Sequence, residues 1–191
     1  MKTKKSLLFI FFTVIFILTS HSGSAQFPID TETGKVKFTG IIDLSGSKDK
    51  IYKKAKLWIV STLKSGDNMV ELGGDNSDQI IGTGNILIDS LKFQFEKKYY
   101  AREAHLNFKF IIFCKDNKLK YSVENFILTY SYSYDKNVET GLENIKLPDD
   151  LMTKKDLEIF KTEGINYLKR KIDELISNFI YSMKKDENKD W

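Results

Sequence analysis

Cysteine and histidine are almost missing from this sequence, which holds one Cys, two His and two Pro in 191 residues. A single cysteine cannot build a disulfide framework, and so little histidine leaves no material for a Cys/His zinc site or a His-rich catalytic cluster. An excess of one charge is also lacking. The formal net charge is +4, but residues 1–25 contribute three lysines and no acid, so the remaining 166 residues carry 27 basic and 26 acidic side chains. That balance excludes a strongly basic nucleic-acid binder on charge alone.

Only one long apolar run is present, and its context explains it. Lys2, Lys4 and Lys5 precede the stretch from Leu7 to Leu18, interrupted by Thr13, and a small polar segment ending in Gly23-Ser24-Ala25 follows. This three-part pattern is that of a cleaved secretory signal peptide over residues 1–25. A spanning helix needs about 20 apolar residues, and extension of this run meets Ser20, His21 and Gln26. Small residues at Gly23 and Ala25 favour cleavage before Gln26, and no cysteine near that point could accept a lipid anchor. The expectation is an exported protein, periplasmic or extracellular, with no membrane span after cleavage.

Residues 26–185 are sized for one domain with a real core, since a chain of this length buries about 70% of its extended surface. In Lys35 to Leu44 the residues Val36, Phe38, Ile42 and Leu44 alternate with Lys35, Lys37, Thr39 and Asp43, the period-two signature of a half-buried strand. Ser47 is then offered as the N-cap of an amphipathic helix over 48–64, with Ile51, Tyr52, Ala55, Trp58, Ile59 and Leu63 on its apolar side. Two strands follow, Asn68 to Leu72 and Gln79 to Ile88, separated by a Gly/Asp/Asn turn. Gly82 and Gly84 leave one face of the second strand bare, which fits a bend or the close approach of a helix. Residues 104–114 alternate again, and Lys115-Asp-Asn-Lys118 reads as a hairpin turn into the strand Leu119 to Tyr132. A connection over 135–150 leads to a long helix within about residues 151–184, which Gly164 weakens or kinks, and 186–191 form a charged tail. The expected fold is α+β: a curved antiparallel sheet with both helices on one face, in the order β-α-β-β-β-β-α.

Several short motifs now add up to a resemblance. Phe27-Pro28, Gly34-Lys-Val-Lys-Phe38, Tyr52-x-x-Ala55-x-x-Trp58, Ile80-x-Gly82-Thr-Gly84 and Lys115-Asp-Asn-Lys-Leu-Lys-Tyr121 resemble the exported bacterial family called domain of unknown function 4468. The likeness runs over about residues 27–132. It implies a TATA-binding-protein-like fold, with one strand and one helix followed by four strands and a helix, and a Gram-negative source. It implies no activity, because none is established for the family.

Candidate chemistry is thin. His105 stands alone on the polar side of its strand, while Cys114 shares parity with Phe108, Phe110 and Ile112 and should be a buried, inert thiol. Asp75-Asn-Ser-Asp78 lacks the ligand order of a calcium loop. Gly82-Thr-Gly84 lies inside a strand, whereas a phosphate-cradling glycine run must join a strand to a helix. Asp149-Asp150 and Asp186-Glu187 have no histidine beside them, and Ser122, Ser131 and Ser133 have no nucleophile elbow. No catalytic, cofactor or metal residue is therefore assigned.

Two surfaces remain as binding candidates. Tyr132 and Tyr134 offer apolar area with polar tips, whereas Tyr130 continues the core face of Phe126 and Leu128. The helix-free side of the sheet presents Lys35, Lys37, Thr39, His105, Asn107 and Lys109. The reading that follows is an exported, non-enzymatic binding or assembly domain whose sheet face or edge engages an envelope protein, a glycan or a small apolar ligand. Nucleic acid is not expected, since export and near-neutral charge argue against it. The alternatives are a helix-grip carrier with an apolar void bounded by Phe108, Phe110 and the Leu168 to Phe179 face, and a hydrolase using His105 with a nearby carboxylate.

Overall fold

The structure is a computed structural model that describes residues 27–63, 70–72, 79–88, 104–133, 136–145 and 154–185. The signal-like segment 1–25, the Gly/Asp turn at 73–78, Tyr134, Asp149-Asp150 and the tail 186–191 lie outside the described residues.

The first described residues already bend back on themselves. The Asp30 carboxylate accepts the backbone N–H groups of Glu32 at 3.0 Å and Thr33 at 2.9 Å, and Gly34 closes the turn at φ 67°, a conformation glycine adopts without strain. Val36 thereby returns beside Ile29 and the chain enters β1 (Lys37–Asp43). Helix α1 (Lys48–Thr62) buries Ile51, Ala55, Trp58 and Ile59, the three-and-four spacing expected of an amphipathic helix. Its start differs from expectation. Ser47 occupies the N-cap position but its side chain makes no capping bond; instead the Lys48 N–H donates to the Asp116 carboxylate at 2.7 Å, 68 residues away in the chain. Asn117 supports the same junction, its Oδ1 accepting Gly46 N–H at 3.2 Å. The hairpin turn thus supplies the acceptor that an N-terminal amide needs.

The sheet continues with β2 (Val70–Leu72), β3 (Gln79–Ile88), β4 (Ala104–Lys115), β5 (Lys118–Ser133) and β6 (Lys136–Gly141). All pairings are antiparallel, and the spatial order is β1-β5-β4-β3-β2. Strand β6 is a strand more than the periodicity predicts: Lys136–Gly141 lies within the stretch expected to be a connection, because Val138 is its only strongly apolar residue and the signal is weak. A 3-10 turn (Leu142–Asn144) follows.

Strand β5 shares one edge between two partners. Lys118 to Glu124 pair with β1, and Ile127 to Ser133 pair with β6. Between them the register against β4 slips, so that Lys109 faces Glu124 while Asn107 faces Ile127. The extra residue is accommodated at Asn125, which sits at φ 55°, the left-handed region that asparagine tolerates better than most residues. The slip also changes which residues point inward: Leu119, Tyr121 and Val123 are buried before it, and Phe126, Leu128 and Tyr130 after it.

Both principal helices cover one face. The C-terminal segment is not a single run but α2 (Lys154–Ile159), a π-helical turn Phe160–Gly164, and α3 (Ile165–Lys184). Gly164 therefore marks the defect its sequence position suggests. Between α1, α3 and the sheet lies an aromatic cluster. Trp58 is 4.8 Å from Phe179 and 5.2 Å from Phe110, and Phe179 stacks edge-on to Phe110 at 4.8 Å and Tyr121 at 5.6 Å. The indole N–H donates to Asn178 Oδ1 at 2.9 Å, as a buried tryptophan requires. Burial pushes the Tyr121 phenol above its ordinary pKa, because the charged form is the one that desolvation disfavours. Gly82 makes the close fit possible: a Cβ there would stand 2.7 Å from Ile59 Cγ2.

Candidate functional site: a groove on the open sheet face

The face opposite the helices is polar at its centre, and the strand register shows why. Across the ladder, Thr83 faces Lys109, Lys109 faces Glu124 and Glu124 faces Lys37. One row on, Asn85 faces Asn107, followed by Leu87 facing His105 and His105 facing Thr129. Period-two alternation puts all of these side chains on the side away from Phe110 and Tyr121.

A groove of about 840 Å³ opens over the slip in β5. Lys35, Asn85, His105, Asn107, Lys109, Asn125, Ile127 and Glu143 line it, with Gly84, Phe108 and Phe126 at its floor. Its size falls within the roughly 300–1,000 Å³ common for ligand sites. The two floor phenylalanines are 3% and 2% exposed, so neither shows an open ring face. Ile127, at 42%, is the exposed apolar side chain among the lining residues.

A hydrogen-bonded ladder runs through the groove. His105 Nδ1 lies 2.9 Å from Asn85 Oδ1, the Asn85 amide donates to Asn107 Oδ1 at 2.6 Å, and the Asn107 amide reaches Thr129 Oγ1 at 3.5 Å. With Asn85 Oδ1 as the acceptor, His105 must carry its proton on Nδ1. The partner of His105 in this ladder is thus an amide and not a carboxylate. Each carboxamide still has one N–H and one lone pair to offer, since a carboxamide carries two donors and two lone pairs.

The charges divide into bound and unbound. Lys37 is held by Asp30 and Glu124, each at 3.3 Å. Hydrogen bonds from Thr33 and Lys37 hold the Asp30 carboxyl below its ordinary pKa, and the bond to Asp30, reinforced by Glu124, holds the Lys37 ammonium above its own. Lys37 is therefore a clamp between the N-terminal turn and the sheet. Lys35 and Lys109 make no ion pair among the described residues, and neither does Glu143.

Of the eight residues expected at a binding surface, the groove gathers Lys35, His105, Asn107 and Lys109. Lys37 is consumed by its two carboxylates, and Thr39 lies one row away opposite Ser122. Tyr132 is a β5 position whose side chain is not described, and Tyr134 lies outside the described residues. Sequence reasoning missed Asn85, Asn125 and Glu143. The signal for Asn125 was present, since the apolar phase of β5 changes from odd to even across Glu124-Asn125. Glu143 carries no local signal, because its position depends on β6.

Two other sequence expectations can be placed. Cys114 is fully buried in the core. Of the residues expected to bound a carrier's apolar void, Phe110 and Phe179 stack on one another at 4.8 Å with Trp58 against both. Among the described residues no group of three or more His, Cys, Asp or Glu is arranged to hold a metal ion, and no helix is long and apolar enough to cross a membrane.

Comparison with known proteins agrees on the fold. Residues 38–129 match the family model described as a domain of unknown function (DUF4468) with TBP-like fold. No curated protein matches the chain significantly. Among solved structures, a TBP-like protein from Parabacteroides distasonis superposes with a TM-score of 0.60 at 15% identity, covering 84% of this chain and 98% of that one. A DUF4468 family protein from Bacteroides ovatus does so with a TM-score of 0.55 at 15% identity, covering 88% and 95%. At such identity these likenesses speak for the fold alone. The open antiparallel sheet with the two helices on one side of it is a TATA-binding-protein-like fold, and over residues 38–129 this chain is similar to the DUF4468 proteins.

Proposed function

We propose that this protein is an exported, non-enzymatic binding or assembly domain of the cell envelope that engages its partner through the open face of the sheet. The observation that carries the reading is the groove at the slip in β5, where four of the expected residues converge, two of them lysines that make no ion pair among the described residues. Export is inferred from the lysine-led apolar segment before Gln26. The non-enzymatic reading rests on the scarcity of reactive groups in the sequence, which after residue 25 holds one Cys and one His, and on the burial of that Cys in the core. Candidate occupants are an envelope protein, a glycan or a small apolar ligand.

The test is affinity capture from the envelope fraction with the wild-type protein and with Lys109→Glu in parallel. A partner or ligand retained by the wild type and lost by the variant is the expected result. Recovery of the monomer alone, or equal capture by both proteins, would overturn the reading. Turnover across a hydrolase substrate panel that His105→Gln abolishes would replace it with the enzymatic alternative.

A further inference from the structure

The outer edge of β1 carries an inference independent of the groove. Strand β1 stands at one end of the order β1-β5-β4-β3-β2, and β5 is its strand partner. The edge starts out covered, since the Lys37 N–H donates outward to the Pro28 carbonyl at 3.0 Å. In an antiparallel strand the N–H and C=O of one residue point the same way, and the direction alternates along the chain. Lys37 therefore sets the parity, and Leu44 agrees with it from the other side, its N–H turning inward to Asn117 O at 2.9 Å. Thr39, Ile41 and Asp43 thus aim their backbone N–H and C=O groups away from the sheet, where none has a partner among the described residues.

Natural sheets blunt such an edge with lysine, proline, a bulge or a covering segment. The residues Thr39-Gly-Ile-Ile-Asp43 include no lysine and no proline, and their register against β5 runs without a break. Their side chains give the edge an apolar centre. Ile41 is 69% exposed, more than any other large hydrophobic residue described, and stands beside Lys120 on the helix-free face. Thr39 and Asp43 flank it on that face; both are exposed, and neither side chain has a hydrogen-bond or ion-pair partner among the described residues.

We propose that the edge Thr39–Asp43 pairs with the same edge of a second copy of this chain, joining two sheets into one across a two-fold axis at Ile41. The strand is complementary to itself in this register. Every outward N–H and C=O of Thr39, Ile41 and Asp43 finds a partner, Ile41 with Ile41 and each Thr39 with the partner's Asp43. The same alignment sets each Thr39 hydroxyl, a donor, against a carboxylate, an acceptor, and packs the two Ile41 side chains together. Pro28 bounds the free edge before Thr39. A contact this short is small beside the roughly 20–30 residues a side of a standard interface, so the dimer is reversible and depends on concentration.

The experiment is sedimentation equilibrium on the chain as the cell processes it, which should show monomer and dimer exchanging below millimolar concentration. Ile41→Lys should weaken the dimer at least tenfold by bringing two ammonium groups together at the axis, with the fold checked by circular dichroism. Thr39→Asp should weaken it by facing the partner's Asp43, and adding Asp43→Lys to Thr39→Asp should restore it. Crosslinking with a short bismaleimide reads the alignment directly. Ile41→Cys lies about 5.5 Å from its counterpart between Cα atoms and should crosslink. Phe113→Cys is on the same face at 43% exposure but two strands further in, about 24 Å from its counterpart by strand spacing, and should not. A monomer at millimolar concentration, a dimer indifferent to Ile41→Lys, equal crosslinking at the two positions, or no restoration by the double variant would each overturn the proposal. A chain that stays monomeric while its edge captures a strand of a different protein, lost in Ile41→Lys, overturns it too and assigns the edge to that protein.

Discussion

Replacing Gly82 by alanine gives the sharpest test of how the helix layer meets the sheet, because two effects of opposite sign compete there. Glycine inside a strand costs about 0.5–1 kcal/mol relative to alanine through backbone entropy, so a site with open space should gain stability on substitution. At Gly82 the new methyl would stand 2.7 Å from Ile59 Cγ2 and 3.2 Å from both Ile59 Cδ1 and Leu63 Cδ1. Ile59 is branched at Cβ and 1% exposed, so it cannot turn that methyl aside into free space. Overpacking of this kind costs roughly 1–3 kcal/mol, and the net expectation is a loss of about 1–2 kcal/mol. For a chain of this size that lowers the melting temperature by roughly 2–8 °C.

Calorimetry or urea denaturation measures the loss, and Ile59→Ala tests its cause. Alone, Ile59→Ala should cost about 2–5 kcal/mol. Combined with Gly82→Ala it should cost at least about 0.5 kcal/mol less than the sum, because the added methyl then enters the vacated space. A stabilised Gly82→Ala protein, or two effects that simply add, would refute the packing argument.

Three further outcomes follow from other contacts. Asp116→Ala should cost about 1 kcal/mol by stripping the acceptor from the start of α1, while Ser47→Ala should stay within about 0.5 kcal/mol; equal effects in urea melts would return the cap to Ser47. Asn125→Val should cost about 1–2 kcal/mol through its left-handed backbone, with Asn125→Gly close to neutral, and similar losses for both would show that the side chain and not the backbone matters. Asp30 is more acidic folded than unfolded, so its contribution is present above its ordinary pKa of 3.8 and fades as pH falls through the lower folded value. Lys37 has the opposite sign, with stability present below 10.5 and lost as pH rises through its raised folded value; Asp30→Asn should therefore reduce the fall in urea midpoint at both extremes, and an unchanged pH profile would contradict the clamp.

The strands and the main helices were legible because their apolar periods are long and clean. Residues 104–114 alternate without a break, and β3 occupies Gln79–Ile88 as its pattern predicts. What escaped the sequence is nonlocal. Asp116 caps a helix 68 residues upstream, and no spacing rule reaches that far. Strand β6 is stabilised mainly by pairing with β5 and has little apolar pattern of its own. The site was half visible for the same reason: strand parity exposed Lys35, His105, Asn107 and Lys109, whereas Asn85 became relevant only through its cross-strand neighbour and Glu143 only through β6. Lys37 looked equivalent to Lys35, and the turn at Asp30 is what separates them.

The left-handed residue in β5 also acts as a lock on alignment. A uniform alternating strand can slide by two residues and still bury an apolar face, so its pairing is defined only by its ends. Strand β5 has two apolar phases joined at Asn125. Sliding it by two in either direction would carry the phase change away from the slip opposite Phe108, turning either Val123 or Phe126 outward and bringing a polar neighbour in. The single irregular residue therefore specifies the register of β1, β4 and β6 at once, and the groove above it has the same lining in every folded molecule.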